Sequence, residues 1–190
     1  PPLGIHFQQA GRQLVLLGGL MPCATGSGAQ INRRFGSSQY AKVVIDALWG
    51  LPPQLDMDYE KRVHLASRRI VGAGLAESAH DLSDGGLAVA VAESSFGSSE
   101  IGASIELSSE LPAHYLLYYE APSRILFSVA KDSLNAVLAI TNNCSVEASV
   151  IGETVEGHVA FSANGKELLD RPVSELYECW ASSLERTLAI

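Results

Sequence analysis

Gly85 and Gly86 stand between the polar run Ser78-Ala79-His80-Asp81-Leu82-Ser83-Asp84 and the apolar run Leu87-Ala88-Val89-Ala90-Val91-Ala92. This junction leaves the chain few local choices. Residues 78–80 read as a short strand and residues 86–96 as a helix, with the glycine pair turning the backbone between them. Polar and acidic side chains therefore collect at a strand end and face a helix N-terminus. A helix dipole and free N–H groups attract anionic oxygens, and a carboxylate can hold Mg²⁺ against them. The stretch reads as a site for phosphate and a metal ion, with glycines that let a ligand approach the backbone.

The flanking pattern alternates. Residues 15–17 read as a buried strand, and residues 21–35, rich in Gly, Ser, Ala and Asn, as a loop. Residues 38–48 have helical spacing, with Tyr40, Val43, Val44, Ala47 and Leu48 on one side, and Gly50-Leu51-Pro52-Pro53 ends them. A long helix is expected over 56–73, with Asp56 as N-cap and Gly72 and Gly74 at its end. Residues 103–107 and 124–129 read as strands, and 133–142 as a helix capped by Ser133 or Asp132. Residues 146–151 and 158–162 read as strands joined by a turn region at 152–157. Asn164-Gly165 signals a hairpin, so 167–169 should pair back. Residues 172–188 read as a C-terminal helix. The expectation is an α/β chain of the α+β type, with a mixed sheet covered by helices. No internal repeat or domain boundary is evident, so residues 1–190 read as one domain whose weakest point is the loop at 21–35.

Bulk properties exclude several roles. A 47% hydrophobic composition supports a sizeable core and argues against disorder. A net charge of -8 and no run of four basic residues argue against nucleic acid and membrane surfaces as partners. No apolar run approaches the roughly 18 residues of a membrane-spanning helix. Cys23, Cys144 and Cys179 are far apart, odd in number and without CxxC spacing. That fits inert core thiols in a reducing cytoplasm better than disulfides or zinc. The chain opens Pro1-Pro2 rather than Met, without a signal peptide, and reads as a piece of something longer.

Residues His80–Phe96 resemble the "HD-x-S-DGGL-AVA-x-AE" signature of the phosphoribosylformylglycinamidine synthase (FGAM synthetase) family. Leu16-Leu17-Gly18 with Phe35-Gly36-Ser37-Ser38-Gln39-Tyr40 is similar to the family's "LLG-(x)n-LGGSEY". Leu51-Pro52-Pro53-Gln54-Leu55-Asp56 resembles its "PP-x-LD" helix entry, and Tyr119-Glu120-Ala121-Pro122-Ser123-Arg124 its "F-x-E-(x)3-R" segment. The likeness covers nearly the whole chain. It implies the C-terminal part of the second of two repeats shared with aminoimidazole ribonucleotide (AIR) synthetase, folded as a three-layer α/β/α domain. The family converts formylglycinamide ribonucleotide, glutamine and ATP to the amidine, ADP, phosphate and glutamate. Its catalytic histidine and most of its substrate residues lie upstream of the matched region, so the piece alone is expected to be inactive and no catalytic residue is carried over. The resemblance implies Mg²⁺ and ATP or ADP as cofactors, with Asp81 as a metal ligand and Ser83 at an auxiliary nucleotide. The implied partners are the upstream domains of the same chain, a glutaminase domain or subunit and a small subunit. A homodimer of the fragment through an exposed apolar patch is a further expectation. Two departures stand out. The loop between Gly18 and Phe35 is longer than the family's and lacks its acidic residues, and Gln39 replaces the usual Glu.

Each candidate has a plainer reading. Asp84 serves a Mg-nucleotide or caps the helix opening at Gly85. Ser83 is a phosphate contact or a capping hydroxyl, and Gly85 and Gly86 cradle phosphate or only turn the chain. His80 is a base or a hydrogen-bonded strand-end residue. Glu120 and Arg124 line an inter-domain cleft or form a local ion pair. His64, His114 and His158 read as surface or structural residues, and Trp49 and Trp180 as packing. Two other functions stay open: another ATP-dependent enzyme of the AIR synthase superfamily, and a non-catalytic interaction domain.

Overall fold

Leu14 and Leu16 point to one side of a central strand, Val15 and Leu17 to the other, and all four are fully buried. This strand, β1 (Gln13–Leu17), thus has a hydrophobic core on each face. Burial of each such side chain contributes about 1.5–3 kcal/mol, which anchors β1 from both sides. The computed structural model describes residues 2–20 and 28–188. In chain order the next elements are α1 (Gly28–Phe35), α2 (Gln39–Val43), α3 (Met57–Gly72), β2 (Ser78–Asp81), α4 (Gly86–Ser95), β3 (Ile101–Leu107) and α5 (Ala113–Tyr118). There follow β4 (Ile125–Val129), α6 (Leu134–Asn143), β5 (Ala148–Glu156), β6 (His158–Ala163), β7 (Lys166–Pro172), α7 (Val173–Ala181) and α8 (Ser183–Leu188).

The strands form one seven-stranded sheet in the order β2-β4-β1-β5-β3-β6-β7. Every pairing is antiparallel except β3–β6, so the sheet is mixed, as expected. On one face α4, α5 and α7 bury Leu87, Ala90, Val91, Leu116, Leu117 and Val173 against β1, β3 and β6. On the other, α3 and α6 bury Val63, Ala66, Ile70 and Val137 against Val15, Leu17, Phe127 and Val129. These are the three layers. The second helix layer covers only the β2–β5 side of the sheet, and Ser104 and Glu106 of β3 stay exposed on that face.

Several boundaries differ from the sequence reading. Residues 28–35 are helical rather than loop, because Ile31 and Phe35 lie one turn apart and both bury. The remainder of that expected loop, 21–27, lies outside the described residues. The helix expected over 38–48 is only α2, capped by the Ser38 hydroxyl on the Ala41 amide, and Val43, Val44 and Leu48 are exposed. Of the expected turn region at 152–157, residues 152–156 are strand and only Gly157 turns the chain. Gly152 sits mid-β5 because a Cβ there would lie 2.0 Å from the Ser104 carbonyl oxygen. The C-terminal helix breaks at Ser182, where the hydroxyls of Ser182 and Ser183 take the carbonyls of Glu178 and Trp180 at 2.7 Å each. Cys144 is buried as expected, Cys179 is exposed, and Cys23 lies outside the described residues. Asp56 caps α3, and Asn164 and Gly165 turn β6 into β7 with positive φ at both.

Candidate functional site

The strand–glycine–helix junction forms as read, but its groups are shared out differently. β2 ends at Asp81, and alternation along the strand sends His80 and Asp81 to opposite sides. The Asp81 side chain is 76% exposed and lines a cleft of about 600 Å³ with Ser83, Asp84 and Glu120. The His80 ring does not line this cleft. It is held by the Asp81 carbonyl at 2.6 Å and the Glu93 carboxylate at 3.0 Å, on the far side of β2. That is the hydrogen-bonded strand-end role.

Gly85 occupies the N-cap of α4 with no side-chain bond from its neighbours, so Asp84 is not the cap. The cap comes from a distance. Glu120 Oε1 accepts the Gly85 N–H at 2.8 Å and the Gln39 N–H at 2.9 Å, joining the starts of α4 and α2. Gly86 donates its N–H to the Ser83 carbonyl at 3.0 Å. Both glycine amides are thus engaged within the chain. Both residues have positive φ, and a Cβ on Gly86 would lie within 3.0 Å of the backbone of Leu117, Tyr118 and Tyr119. Close packing demands glycine at this position whether or not a ligand approaches. The Ser83 hydroxyl has no hydrogen bond among the described residues, and Asp84 accepts weakly from Gln39 Nε2 at 3.4 Å.

Arg124 forms no ion pair with Glu120. Its guanidinium is 2% exposed beneath the cleft and donates to the Gly19 carbonyl at 3.0 Å and the Tyr119 carbonyl at 2.9 Å. Nη2 has no partner among the described residues. Burial lowers the pKa to about 10, so the group stays charged at neutral pH. It clamps the chain leaving β1, where a Cβ on Gly18 would meet the Ser123 carbonyl at 2.0 Å.

The opposite wall was not foreseen. Glu60 and His64 lie one turn apart on α3, 2.8 Å from each other, and the Ser123 hydroxyl donates to Glu60. Ser123 itself has φ of 64°, a left-handed conformation unusual for serine. The only sequence signals were the Glu60/His64 helical spacing and the nearness of Ser123 to Arg124. Two of the remaining histidines have local partners: His158 pairs with Asp170 at 3.0 Å, and His114 packs among Phe35, Tyr40 and Tyr115.

Asp81, Asp84, Glu60 and Glu120 outnumber the buried Arg124 and leave the cleft lining net acidic. A phosphate entering it needs a divalent cation between the charges. Among the described residues no cluster of three or more His, Cys, Asp or Glu could hold a metal unaided. Mg²⁺ in phosphate sites takes one or two carboxylates, with phosphate oxygens and waters completing the shell. The exposed Asp81 carboxylate fits that requirement as a single ligand.

The family model described as AIR synthase related protein, C-terminal domain, matches residues 9–163. The chain belongs to this AIR synthase-related family. Within it, the chain is 36% identical over 186 residues to phosphoribosylformylglycinamidine synthase subunit PurL of Moorella thermoacetica, covering 98% of this chain and 24% of that protein. It is 35% identical over 193 residues to PurL of Synechococcus elongatus, with the same coverage. The chain therefore spans about a quarter of the length of the curated relatives it matches. Thermotoga maritima PurL complexed with FGAR shares the fold, with a TM-score of 0.72 and 20% identity, over 92% of this chain and 29% of that one. No helix among the described residues is long and apolar enough to cross a membrane.

Proposed function

We propose that the chain is the C-terminal, AIR synthase-related domain of the second repeat of a phosphoribosylformylglycinamidine synthase. In this reading residues 1–190 form one domain of a cytoplasmic, ATP-dependent ligase of purine biosynthesis. The synthase converts formylglycinamide ribonucleotide, glutamine and ATP to the amidine, ADP, phosphate and glutamate. This piece does not turn over substrate. It supplies one wall of a Mg-nucleotide cleft, and the preceding domain supplies the other.

The carrying observation is the exposed Asp81 carboxylate beside the uncommitted Ser83 hydroxyl, at the mouth of an acidic cleft. Asp81 would hold Mg²⁺, which would supply positive charge where phosphate meets the carboxylates of this wall. Ser83 and Asp84 would contact the nucleotide. Gly85 and Gly86 shape the loop, and their amides stay with Glu120 and Ser83. Support for a nucleotide comes from relatives: Thermotoga maritima PurL has been solved complexed with ATP and with ADP. The glutaminase domain or subunit and the small subunit are the further partners of this reading, and the structure of PurLQS from Thermotoga maritima has been solved.

An apolar surface fits contact with the preceding domain. Val43, Val44, Ile45, Leu48, Leu51, Leu55 and Met57 are all exposed within one short stretch next to the cleft wall. Left uncovered, such a surface drives a homodimer of the fragment. The test is calorimetry with Mg-ADP and Mg-ATP on the 190-residue chain and on the chain joined to its preceding domain. Binding in the joined protein that disappears with Asp81→Asn is the expected result. Equal binding by Asp81→Asn removes the metal assignment, and no binding by either protein leaves only a packing role.

A further inference from the structure

A second cavity, of about 480 Å³, lies across β2 from the cleft, between the end of α4, α7 and the N-terminal segment. Its walls are Phe96, Tyr177 and Trp180, with Glu93, His80 and His6 beside them. The three aromatic rings form one cluster with centroids 5.5–5.9 Å apart. Yet Tyr177 and Trp180 are each about half exposed, at 46% and 53%. One Glu93 oxygen is held by His80 Nε2 at 3.0 Å, and the other has no partner among the described residues. Glu100 and Glu178 line an adjoining hollow of about 440 Å³ on the other side of Tyr177. Among the described residues no lysine or arginine lines either cavity.

We infer that this cavity binds a guanidinium group, stacked on Trp180 and paired with Glu93. The chemistry disfavours anions and neutral apolar ligands, and the flat aromatic walls favour a planar cation over a compact ammonium. An anion meets the Glu93 carboxylate here, with Glu100 and Glu178 in the adjoining hollow, and among the described lining residues the only basic side chains are the two histidines. A neutral apolar ligand covers the rings but strips water from Glu93 and gives it nothing in return. A guanidinium satisfies both features: its flat face lies on an indole or phenol ring, and its N–H fork reaches a carboxylate. His80 fixes the Glu93 carboxylate from behind, so the acceptor is oriented before the ligand arrives. The group is an arginine side chain, free or carried on a polypeptide segment. This inference stands apart from the nucleotide reading and shares no ligand with it.

The test is a titration of the 190-residue chain, followed by amide NMR shifts, with N-acetyl-arginine amide and with its neutral isostere N-acetyl-citrulline amide. The expected result is saturable shifts at Glu93, Tyr177 and Trp180 for the arginine compound, and binding at least about tenfold weaker for citrulline. Glu93→Gln and Trp180→Leu should each weaken arginine binding about tenfold. Equal binding of the two compounds, or no saturable shift at these residues, overturns the inference without reliance on any variant. A short peptide carrying one arginine separates the sources. Binding about tenfold tighter than the amide assigns the site to a protein segment, and equal binding assigns it to the free compound.

Discussion

Glu120 caps a helix to which it does not belong. Its Oε1 lies 2.8 Å from the N–H of Gly85, which precedes it by 35 residues. The carboxylate compensates the positive end of α4, whose first turn contains no acidic residue. The same oxygen takes the Gln39 amide, so one side chain ties three segments around the mouth of the cleft.

Glu120→Ala is therefore expected to destabilise the chain by about 2 kcal/mol, because a charge-assisted acceptor of two amides is lost. Glu120→Gln keeps an acceptor oxygen and should recover about half of that. Urea denaturation of the three proteins measures both. No change for the alanine variant would show that water serves the two amides equally well.

Gly86 and Gly74 separate crowding from backbone strain. Both have positive φ, 63° and 66°, but a Cβ at Gly74 meets nothing within 4 Å. Gly74→Ala should lose only the left-handed strain, about 1–2 kcal/mol. Gly86→Ala adds contact with three backbone atoms and should lose about 2–4 kcal/mol in total. Thermal melts of the two variants give the comparison. Equal losses would mean that the backbone around Tyr118 yields without strain.

Asp81→Asn should leave stability within about 0.5 kcal/mol of the parent chain, since the side chain is exposed and away from the core. Together with the loss of Mg-nucleotide binding in the joined protein, that pattern marks a ligand contact rather than a structural one. A large drop in the melting temperature would reassign Asp81 to the fold.

His114 supplies the pH dependence. Burial lowers its pKa below the ordinary value of 6.5. The unfolded chain thus binds this proton more readily than the folded one. The His114 contribution to stability is full above the ordinary value and is lost as the pH falls through the lowered one. Denaturation midpoints at about pH 7.5 and 5 should drop more in the parent than in His114→Gln. A parallel drop in both proteins would rule the residue out.

What the sequence made legible were features with a local cause. Asp56 announces α3 through its own carboxylate, Asn164-Gly165 announces a hairpin through its backbone freedom, and the apolar run after Gly86 announces α4. The site loop was legible for the same reason. What escaped depends on partners distant in the chain. Gly152 looks like a turn residue until the Ser104 carbonyl is placed against it. Val43, Val44 and Leu48 look like a core face, but α2 gives them nothing to pack on. Glu120 looks like half of an ion pair, yet its partners are amides on two other segments. The Glu60–Ser123 wall joins residues 63 apart, and no spacing rule spans that distance.

The placement of β1 has a consequence for how the chain reaches its native state. Gln13 pairs with Val129 on one side and Glu153 on the other. This interior strand is the first of the sheet's strands in chain order, and its last neighbour comes about 140 residues later. Loops of that length must close before the sheet can form, which makes folding slow and keeps it incomplete until β5 has been made. Until then Leu14-Val15-Leu16-Leu17 is an exposed apolar segment of the kind that chaperones bind and nascent chains aggregate through. Synthesis rate and chaperone supply, more than final stability, should set the yield of this domain in a cell.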